Sequence, residues 1–500
     1  MNITGCQRIL SGPVWSYKEG QVTEQLAYEK IIEHLPNSFL ALTLFFFRVI
    51  LLGGLKAKKY GEIFMDKKEL KELVCQAIEQ EKDKIIGWAK EIASKPELGY
   101  KETRTSEFIR SVFNGLGLPT RSGIALTGVE GVLEGVRSGP GLLLMGEMDA
   151  VVNREYPAAD PLTGAAHLCG HHLQVAMMLG AAVGLTRAGA RGHLSGKVFF
   201  LGTPAEEFIE IEQRLRLRDE GKIRYLGGKQ ELVRLGYLKN IHLCMLIHAH
   251  SQLSQRKILF GGSGNGFLAK SVRFHGKPAH AGVSPHEGIN ALNAACLAIL
   301  NIHAQRETFR DEDAIRVHPI ITKGGDVVNV VPYDVRMETY VRGRRVEAIS
   351  DANAKVDRAL RAGAEAVGAK VTIQNIPGYL PLIQNPMMTE IAQANALALA
   401  GEEGVGQAGF EGGSTDMGDL SQVIPTIQPH AGGIRGLVHA SNFEVVDYEA
   451  AVIYPAKVMA LTAIDLLYGG AEEANRVIQE FKPAMKVEEY LAFLQRVEET

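Results

Sequence analysis

Cysteine is scarce in this chain of 500 residues, and neither sign of charge dominates it. The five cysteines are odd in number and widely separated, which excludes a disulfide framework and favours a reducing compartment, the cytoplasm. A formal net charge of −3 argues against a nucleic-acid or anionic-membrane partner. With 46% apolar residues, the chain is long and hydrophobic enough for two or more domains with a full core.

The sequence also lacks an unbroken apolar run of the roughly 20 residues that a transmembrane helix needs. The apolar stretch at 39–52 is interrupted by Arg48, and no basic start with a small-residue cleavage site marks a signal peptide. Three interpretations of residues 1–64 stay open. They are an extension that precedes the natural start at Met65, a membrane-associated helix, or an accessory helix docked on the protein.

Apolar strand candidates alternate with helical stretches in the first half of the chain. Strands are predicted at 141–146, 196–202 and 241–247, and helices at 173–188 and 227–236. This alternation is typical of α/β proteins in which helices cover both faces of a sheet. We therefore predict an α/β domain with a mostly parallel sheet covered by helices.

Residues 264–376 follow a different pattern. The predicted order is strand 269–274, helix 287–304, strand 314–322, strand 333–341, helix 346–366 and strand 370–375. This β-α-β-β-α-β order is the ferredoxin-like pattern. We interpret it as an inserted α+β lid domain, so that residues 65–263 and 377–500 form one discontinuous domain.

Acids and imidazoles follow the three predicted strands, at the edge where open α/β sheets bind ligands. They are Asp149, the pair Glu206 and Glu207, and the pair His248 and His250. Adjacent carboxylates suit hydrolysis by two metals, with one acid as ligand and its neighbour as proton shuttle. The two histidines lie on one face of an extended chain. One could be a ligand and the other its support, or both could be ordinary polar groups.

Cys169 and His171 lie about twenty residues after the first strand, just before a helical run of small residues. A thiolate, imidazoles and carboxylates at one sheet edge form a metal site, which becomes hydrolytic when one coordination position stays open. Two other interpretations stay open: Cys169 is a buried structural cysteine beside a loop histidine, or it is a nucleophile with a histidine base.

Taken together, these motifs resemble the metallopeptidase family that contains carboxypeptidase G, aminoacylase and the hippurate and indole-acetyl-amino-acid amidohydrolases. The chain is most similar to the amidohydrolase branch, near the p-aminobenzoyl-glutamate hydrolase subunits. The resemblance covers about residues 80–465. It rests on the motifs above and on the segments 96–103, 324–332, 413–419 and the surroundings of His439.

The resemblance implies a role for each matching position. Two divalent ions, zinc or manganese, would be held by Cys169, His171, Glu207, His248 and His439. Glu206 would be the general base, and Asp149 would support the site. His280 and Asn329 in the lid would steady the substrate carbonyl, and this histidine often reaches in from the partner subunit. A homodimer through the lid is implied in the same way.

Three positions depart from the pattern of the family. His172 stands where Asp or Asn is usual, and it could add a ligand, bind the substrate or pack. Thr415 stands where many relatives have glutamate. Glu147 stands where several relatives have aspartate, and it could support a ligand histidine. Arg342 and Ser414 are candidate substrate contacts; Arg342 could hold a product carboxylate or be a surface arginine.

The resemblance implies metal-dependent hydrolysis of the amide bond in N-acyl amino acids or small dipeptides. Glu206 would take the proton from a water that bridges the metals. The alternatives are a metallo-carboxypeptidase or dipeptidase that acts on peptides, and a non-catalytic binding protein on the same fold. A thiol hydrolase that uses Cys169 would be inactivated by alkylation and would resist chelators.

Overall fold

The computed structural model describes residues 65–251 and 257–499. The strands within these residues are β1 (Thr120–Ile124), β2 (Gly128–Glu134), β3 (Arg137–Glu147), β4 (Val151–Val152), β5 (Ala165–Ala166), β6 (Ser195–Thr203), β7 (Leu243–Met245), β8 (His248–Ser251), β9 (Ile258–Gly264), β10 (Gly266–His275), β11 (Arg316–Val317), β12 (Ile320–Lys323), β13 (Asp334–Gly343), β14 (Lys370–Pro377), β15 (Val405–Glu411), β16 (Thr426–Ile427), β17 (His430–Arg435) and β18 (Glu444–Val445). The α-helices are α1 (Lys67–Gln80), α2 (Lys82–Ala93), α3 (Thr103–Gly115), α4 (His171–Arg187), α5 (Ile211–Asp219), α6 (Gly228–Arg234), α7 (Ala291–Ala304), α8 (Val346–Glu365), α9 (Pro386–Gly404), α10 (Met417–Ser421), α11 (Tyr454–Leu467), α12 (Glu472–Glu480) and α13 (Val487–Glu499).

The first sheet has six strands in the order β1-β2-β6-β3-β7-β16. Its centre is parallel, because β6 and β7 run parallel to β3, and β16 runs parallel to β7. Strands β1 and β2 extend it in antiparallel fashion. Helix α4 packs against β3 and also contacts α1, α2 and α11. The predicted α/β fold class, with a mostly parallel sheet under helices, is confirmed.

Helix α4 is buried along almost its whole length, from His171 to Leu185. Its small residues permit this close packing. A Cβ on Gly184 would lie 2.7 Å from a side-chain carbon of Ile78 in α1. A helix that is apolar on all sides belongs to a protein core. The residues at the N-terminus of α4 are therefore held firmly beside the carboxyl end of β3.

A second sheet, which the sequence analysis did not predict, contains β15, β9, β17 and β18 in that order, with β8 paired to β17. The strand predicted at 241–247 is confirmed in part, as the shorter β7 at Leu243–Met245. The chain leaves the first sheet after Met245 and enters the second at His248. Strand β17 runs parallel to β8 with His430 opposite His248, and β15 runs parallel to β9. Polar side chains from distant parts of the chain therefore meet beside β8.

The third sheet has the order β11-β13-β10-β14, with β12 also paired to β13, and all of its pairs are antiparallel. Helices α7 and α8 pack against it, and an apolar cluster that includes Val272, Phe274 and Ala298 fills the space between. The element order is the predicted β-α-β-β-α-β, with the strand predicted at 314–322 divided into β11 and β12. The domain boundaries given above remain predictions.

The alternatives for residues 1–64 concern a segment outside the described residues. Within the described part of the chain, one helical stretch, Glu449–Leu467, is long and apolar enough to cross a membrane. Because 89% of its most apolar window is buried inside the protein, it is a core helix.

Candidate metal centre

Cys169 and His171 lie on either side of the glycine that precedes α4. Gly170 has a φ of +89°, in the left-handed region that glycine tolerates, and a Cβ there would lie 2.6 Å from the Cβ of Ala249. This close approach brings the loop before α4 against strand β8. As a result, Sγ of Cys169 lies 3.6 Å from Nε2 of His248.

The orientation of the His171 ring is set by Asp149. Its Nδ1 atom lies 2.8 Å from the backbone oxygen of Asp149 and 3.2 Å from the carboxylate Oδ1. Because a carbonyl oxygen only accepts, Nδ1 carries the proton and donates it, which leaves the lone pair on Nε2. That atom lies 3.2 Å from Oε2 of Glu147 and 3.8 Å from Oε2 of Glu206. A ring held in this way is suited to be a metal ligand.

His439 reaches the same place from a loop late in the chain, and its Nε2 lies 2.9 Å from Oε1 of Glu207. The backbone of His439 has a φ of +63°, which is strained for a residue other than glycine. Its N–H donates to the carbonyl of Leu168 at 2.8 Å, and Asn153 Nδ2 donates to its carbonyl at 3.1 Å. Strain that neighbouring contacts hold in place is typical of functional sites.

The five side chains predicted as ligands converge, and two further carboxylates join them. Three sets of donors each place one atom per residue within 4.8 Å of the others: Cys169, His171 and His248; Cys169, Glu207 and His439; and Glu147, His171 and Glu206. Cys169 is shared by the first two sets and His171 by the first and third. Nε2 of His171 is buried and makes no hydrogen bond within the described residues. The thiolate, imidazole and carboxylate donors of the first two sets, which overlap at Cys169, fit a pair of divalent cations.

Glu206 lies among other carboxylates and is only 6% exposed. Its backbone carbonyl accepts a hydrogen bond from the hydroxyl of Tyr379. Burial, and then the negative charges of Glu147 and Glu207, raise the pKa of Glu206 well above its ordinary range. A raised pKa suits a group that takes up a proton and later releases it.

Lys229, which the sequence analysis did not single out, lies beneath the site. Its side chain is completely buried, and Nζ is 2.5 Å from Oε1 of Glu147 and also contacts the carboxylate of Asp416. Burial on its own would raise the pKa of Glu147, but Lys229 and His171 hold it below its ordinary value. A lysine in the short helix α6, after a charged loop, carries no sequence signal of this role.

A cavity of about 400 Å³ opens beside these donors, and both Arg342 and Ser414 line it. A guanidinium N–H of Arg342 donates to Ser414 Oγ at 2.8 Å, and the group lies 5.2 Å from the ring centroids of Phe267 and of Tyr340. Arg342 forms no ion pair with any carboxylate of the described residues. A guanidinium in this state can bind a carboxylate that enters the cavity.

His280 and Asn329, the predicted lid contacts, do not line this cavity. Both are exposed, and they lie together on the third sheet's loops, where the N–H of Ala281 donates to the carbonyl of Asn329 at 2.9 Å. A contact of these residues with the substrate needs closure of the protein or a second subunit, and it stays a prediction.

His172 does not line the cavity either. Its ring packs against His167, at a centroid distance of 5.3 Å, and against Phe443 at 6.4 Å. Burial lowers the pKa of His172 to about 3, so the ring is neutral. Successive residues of a helix point about 100° apart, so that His171 faces the site while His172 faces the core. The predicted substrate contact is corrected to a packing role.

Comparisons with known proteins find related peptidases. A peptidase dimerisation domain matches residues 265–367. An Xaa-Arg dipeptidase of Mus musculus is 29% identical over 447 residues, which cover 84% of this chain and 94% of the mouse protein. The Xaa-Arg dipeptidase of Homo sapiens is 30% identical over 351 residues, 66% of this chain and 73% of the human protein. The crystal structure of a dinuclear metal-binding M20 peptidase from Bacillus subtilis shares the fold, with a TM-score of 0.57 and 22% identity over 77% of this chain and 98% of that one.

Proposed function

This chain belongs to the M20 peptidase family, whose enzymes hydrolyse amide bonds, and from that premise we propose that it cleaves dipeptides or N-acyl amino acids with two divalent ions. One observation carries the proposal. The carboxyl group of Glu206 lies next to five side chains whose donor atoms converge beside a cavity. The five are Cys169, His171, Glu207, His248 and His439.

The two ions are proposed to be zinc or manganese. Thiolate and imidazole donors favour zinc, whereas the carboxylate of Glu207 also suits manganese or cobalt. When bound, such ions lower the pKa of water and polarise a substrate carbonyl.

The side chains around this centre have three further roles: proton transfer, orientation of a ligand and contact with the substrate. Glu206 accepts the proton of the attacking water and returns it to the leaving amine, which its raised pKa allows. Asp149 fixes the tautomer of His171 through Nδ1, and Lys229 keeps Glu147 ionised below the site. His280 would reach the substrate carbonyl by closure or from a second subunit.

The substrate is proposed to carry a free carboxylate, which Arg342 binds. The lack of an ion-pair partner for this guanidinium among the described residues supports the assignment, and so does its place beside Ser414. We place dipeptides ahead of N-acyl amino acids because the mouse relative, named for cleavage of Xaa-Arg dipeptides, aligns over 94% of its length.

We further propose a cytoplasmic homodimer that pairs through the third sheet. The dimerisation-domain match covers this region, and the edge strand β12 and the loop after it expose Ile320 and Val328. Exposed apolar side chains beside an edge strand are suited to an interface. The cysteines of the described residues are all free, which fits a reducing compartment.

A hydrolysis screen tests the proposal. The purified chain is stripped with a chelator, reloaded with zinc or manganese, and given dipeptides and N-acyl amino acids with and without a free carboxylate. We expect metal-dependent hydrolysis of carboxylate-bearing substrates. Activity that survives chelation but is lost on thiol alkylation would reject the proposal in favour of a nucleophilic Cys169.

A further inference from the structure

A second cluster of donors lines the same cavity and belongs to none of the ligands proposed above. It contains His250 in β8, Glu411 at the end of β15 and His430 at the start of β17. The second sheet brings them together, since β8 pairs with β17, β17 with β9, and β9 with β15. Two imidazoles and one carboxylate, from three separate segments of the chain, therefore lie on the same side of the cavity.

The geometry of this cluster is that of a ligand set. One donor atom from each residue lies within 4.8 Å of the other two. Nε2 of His250 is 2.7 Å from Oε1 of Glu411, and the rings of His250 and His430 meet edge to face at 5.3 Å. The ring of His248 lies 6.4 Å from that of His430, so the cluster is next to the dinuclear centre but uses other side chains.

Two ring nitrogens of the cluster lack partners. Nδ1 of His250 and Nδ1 of His430 are buried and make no hydrogen bond within the described residues. Most buried polar groups in proteins have a partner, so each unpaired ring nitrogen leaves a position that a bound ion or water can fill. The ion pair between His250 and Glu411 does not satisfy either Nδ1 atom.

We propose that His250, Glu411 and His430 bind an auxiliary divalent cation, such as zinc, that is distinct from the two ions of the dinuclear centre. Two histidines and a glutamate are a known ligand set for zinc in sites that keep one position open. All three side chains line the cavity, so the open position faces it. A cation there offers coordination to a carboxylate or carbonyl oxygen of whatever molecule enters.

Counting zinc on the full chain tests this assignment. The protein is equilibrated by dialysis against a range of Zn²⁺ concentrations, and bound zinc per chain is measured by elemental analysis. We expect three ions for the wild type and two for Glu411→Gln and for His430→Gln. His318→Gln removes an exposed histidine of the third-sheet region and should keep three. Circular dichroism shows that each variant is folded.

A wild-type count of two that Glu411→Gln leaves unchanged would overturn the auxiliary site. An equal loss of zinc in His318→Gln would overturn it too, because the loss would then be nonspecific. Cys169→Ser reports separately on the dinuclear centre. If Cys169→Ser loses zinc and Glu411→Gln does not, the auxiliary site fails while the dinuclear centre stands. If only Glu411→Gln loses zinc, the auxiliary site stands and the dinuclear centre fails.

Discussion

Nζ of Lys229 lies 2.5 Å from Oε1 of Glu147, and neither side chain is exposed to solvent. Removing one partner of a buried ion pair leaves an uncompensated charge and costs about 3–5 kcal/mol. We expect Lys229→Met to lower the free energy of unfolding by that amount, as measured by urea denaturation.

The pair of Lys197 and Glu134 is a matched control at the surface. Its Nζ and Oε1 atoms are 2.9 Å apart, but the side chains are 45% and 59% exposed. Solvent screens such a pair, so Lys197→Met should change the free energy of unfolding far less. Similar losses in the two variants would contradict a structural role for the buried lysine.

Glu206→Gln separates chemistry from metal binding. A general base typically contributes 10²–10⁴-fold to the rate, so kcat should fall by at least about 100-fold. Bound metal, measured by elemental analysis, should stay at the wild-type level because Glu206 is not a proposed ligand. Glu207→Gln is the matched comparison and should lose metal together with activity. Wild-type turnover in Glu206→Gln would reject the assigned base.

Arg342→Met tests recognition of the substrate carboxylate. Hydrogen bonds to charged groups contribute about 1.5–3 kcal/mol, so kcat/KM should fall by about 10- to 100-fold for substrates with a free carboxylate. Substrates that end in a carboxamide should be unaffected by the substitution. The control is Arg344→Met, an exposed neighbour that stacks on Phe410 at 4.1 Å and should retain normal kinetics. Equal losses on both substrate types would contradict the carboxylate contact.

The contribution of Glu102 to the free energy of unfolding should decrease as the pH rises. Its side chain is buried and accepts hydrogen bonds from Thr127 Oγ1 at 2.6 Å and from the N–H of Ala205 at 2.8 Å. Burial, and then the charge of Asp149, raise the pKa of Glu102 to about 8 from its ordinary value of 4.5. Between these values the folded state keeps a proton that the unfolded chain has released. This group's contribution to stability is therefore complete below about pH 4.5 and is lost as the pH approaches 8.

Glu102→Gln stays neutral at every pH, so it should remove this dependence. Relative to the wild type, the free energy of unfolding of the variant should increase between pH 5 and pH 8. Urea denaturation at both pH values measures the difference. A difference that does not change with pH would show that Glu102 titrates alike in the folded and unfolded states.

The sequence predicted that the donors of the candidate metal centre would converge, because strand ends and a family resemblance both mark them, and their roles as metal ligands stay predictions. Cys169, Glu206 and His248 each follow a recognisable apolar segment or glycine turn. The second sheet could not be predicted in the same way. Residues 241–247 form one mostly apolar run that leads directly into His248, and only tertiary pairing ends the first strand at Met245 and begins the next at His248.

The sequence analysis also missed residues whose partners are distant in the sequence. Lys229, Glu411 and His430 follow no periodic pattern, and their partners lie in other strands and helices. His172 shows the opposite case. It stands beside a predicted ligand in the sequence, yet the turn of α4 directs its ring into the core. Adjacency in sequence is a poor guide to adjacency in space at the first turn of a helix.

Anomalous diffraction from crystals loaded with zinc or cobalt tests the central claim most directly. At the dinuclear centre the account predicts two peaks about 3.5–4 Å apart, the spacing of two-metal hydrolases. The ligand atoms should be those of Cys169, His171, Glu207, His248 and His439. The absence of any peak within bonding distance of Cys169 Sγ in fully loaded crystals would contradict the account.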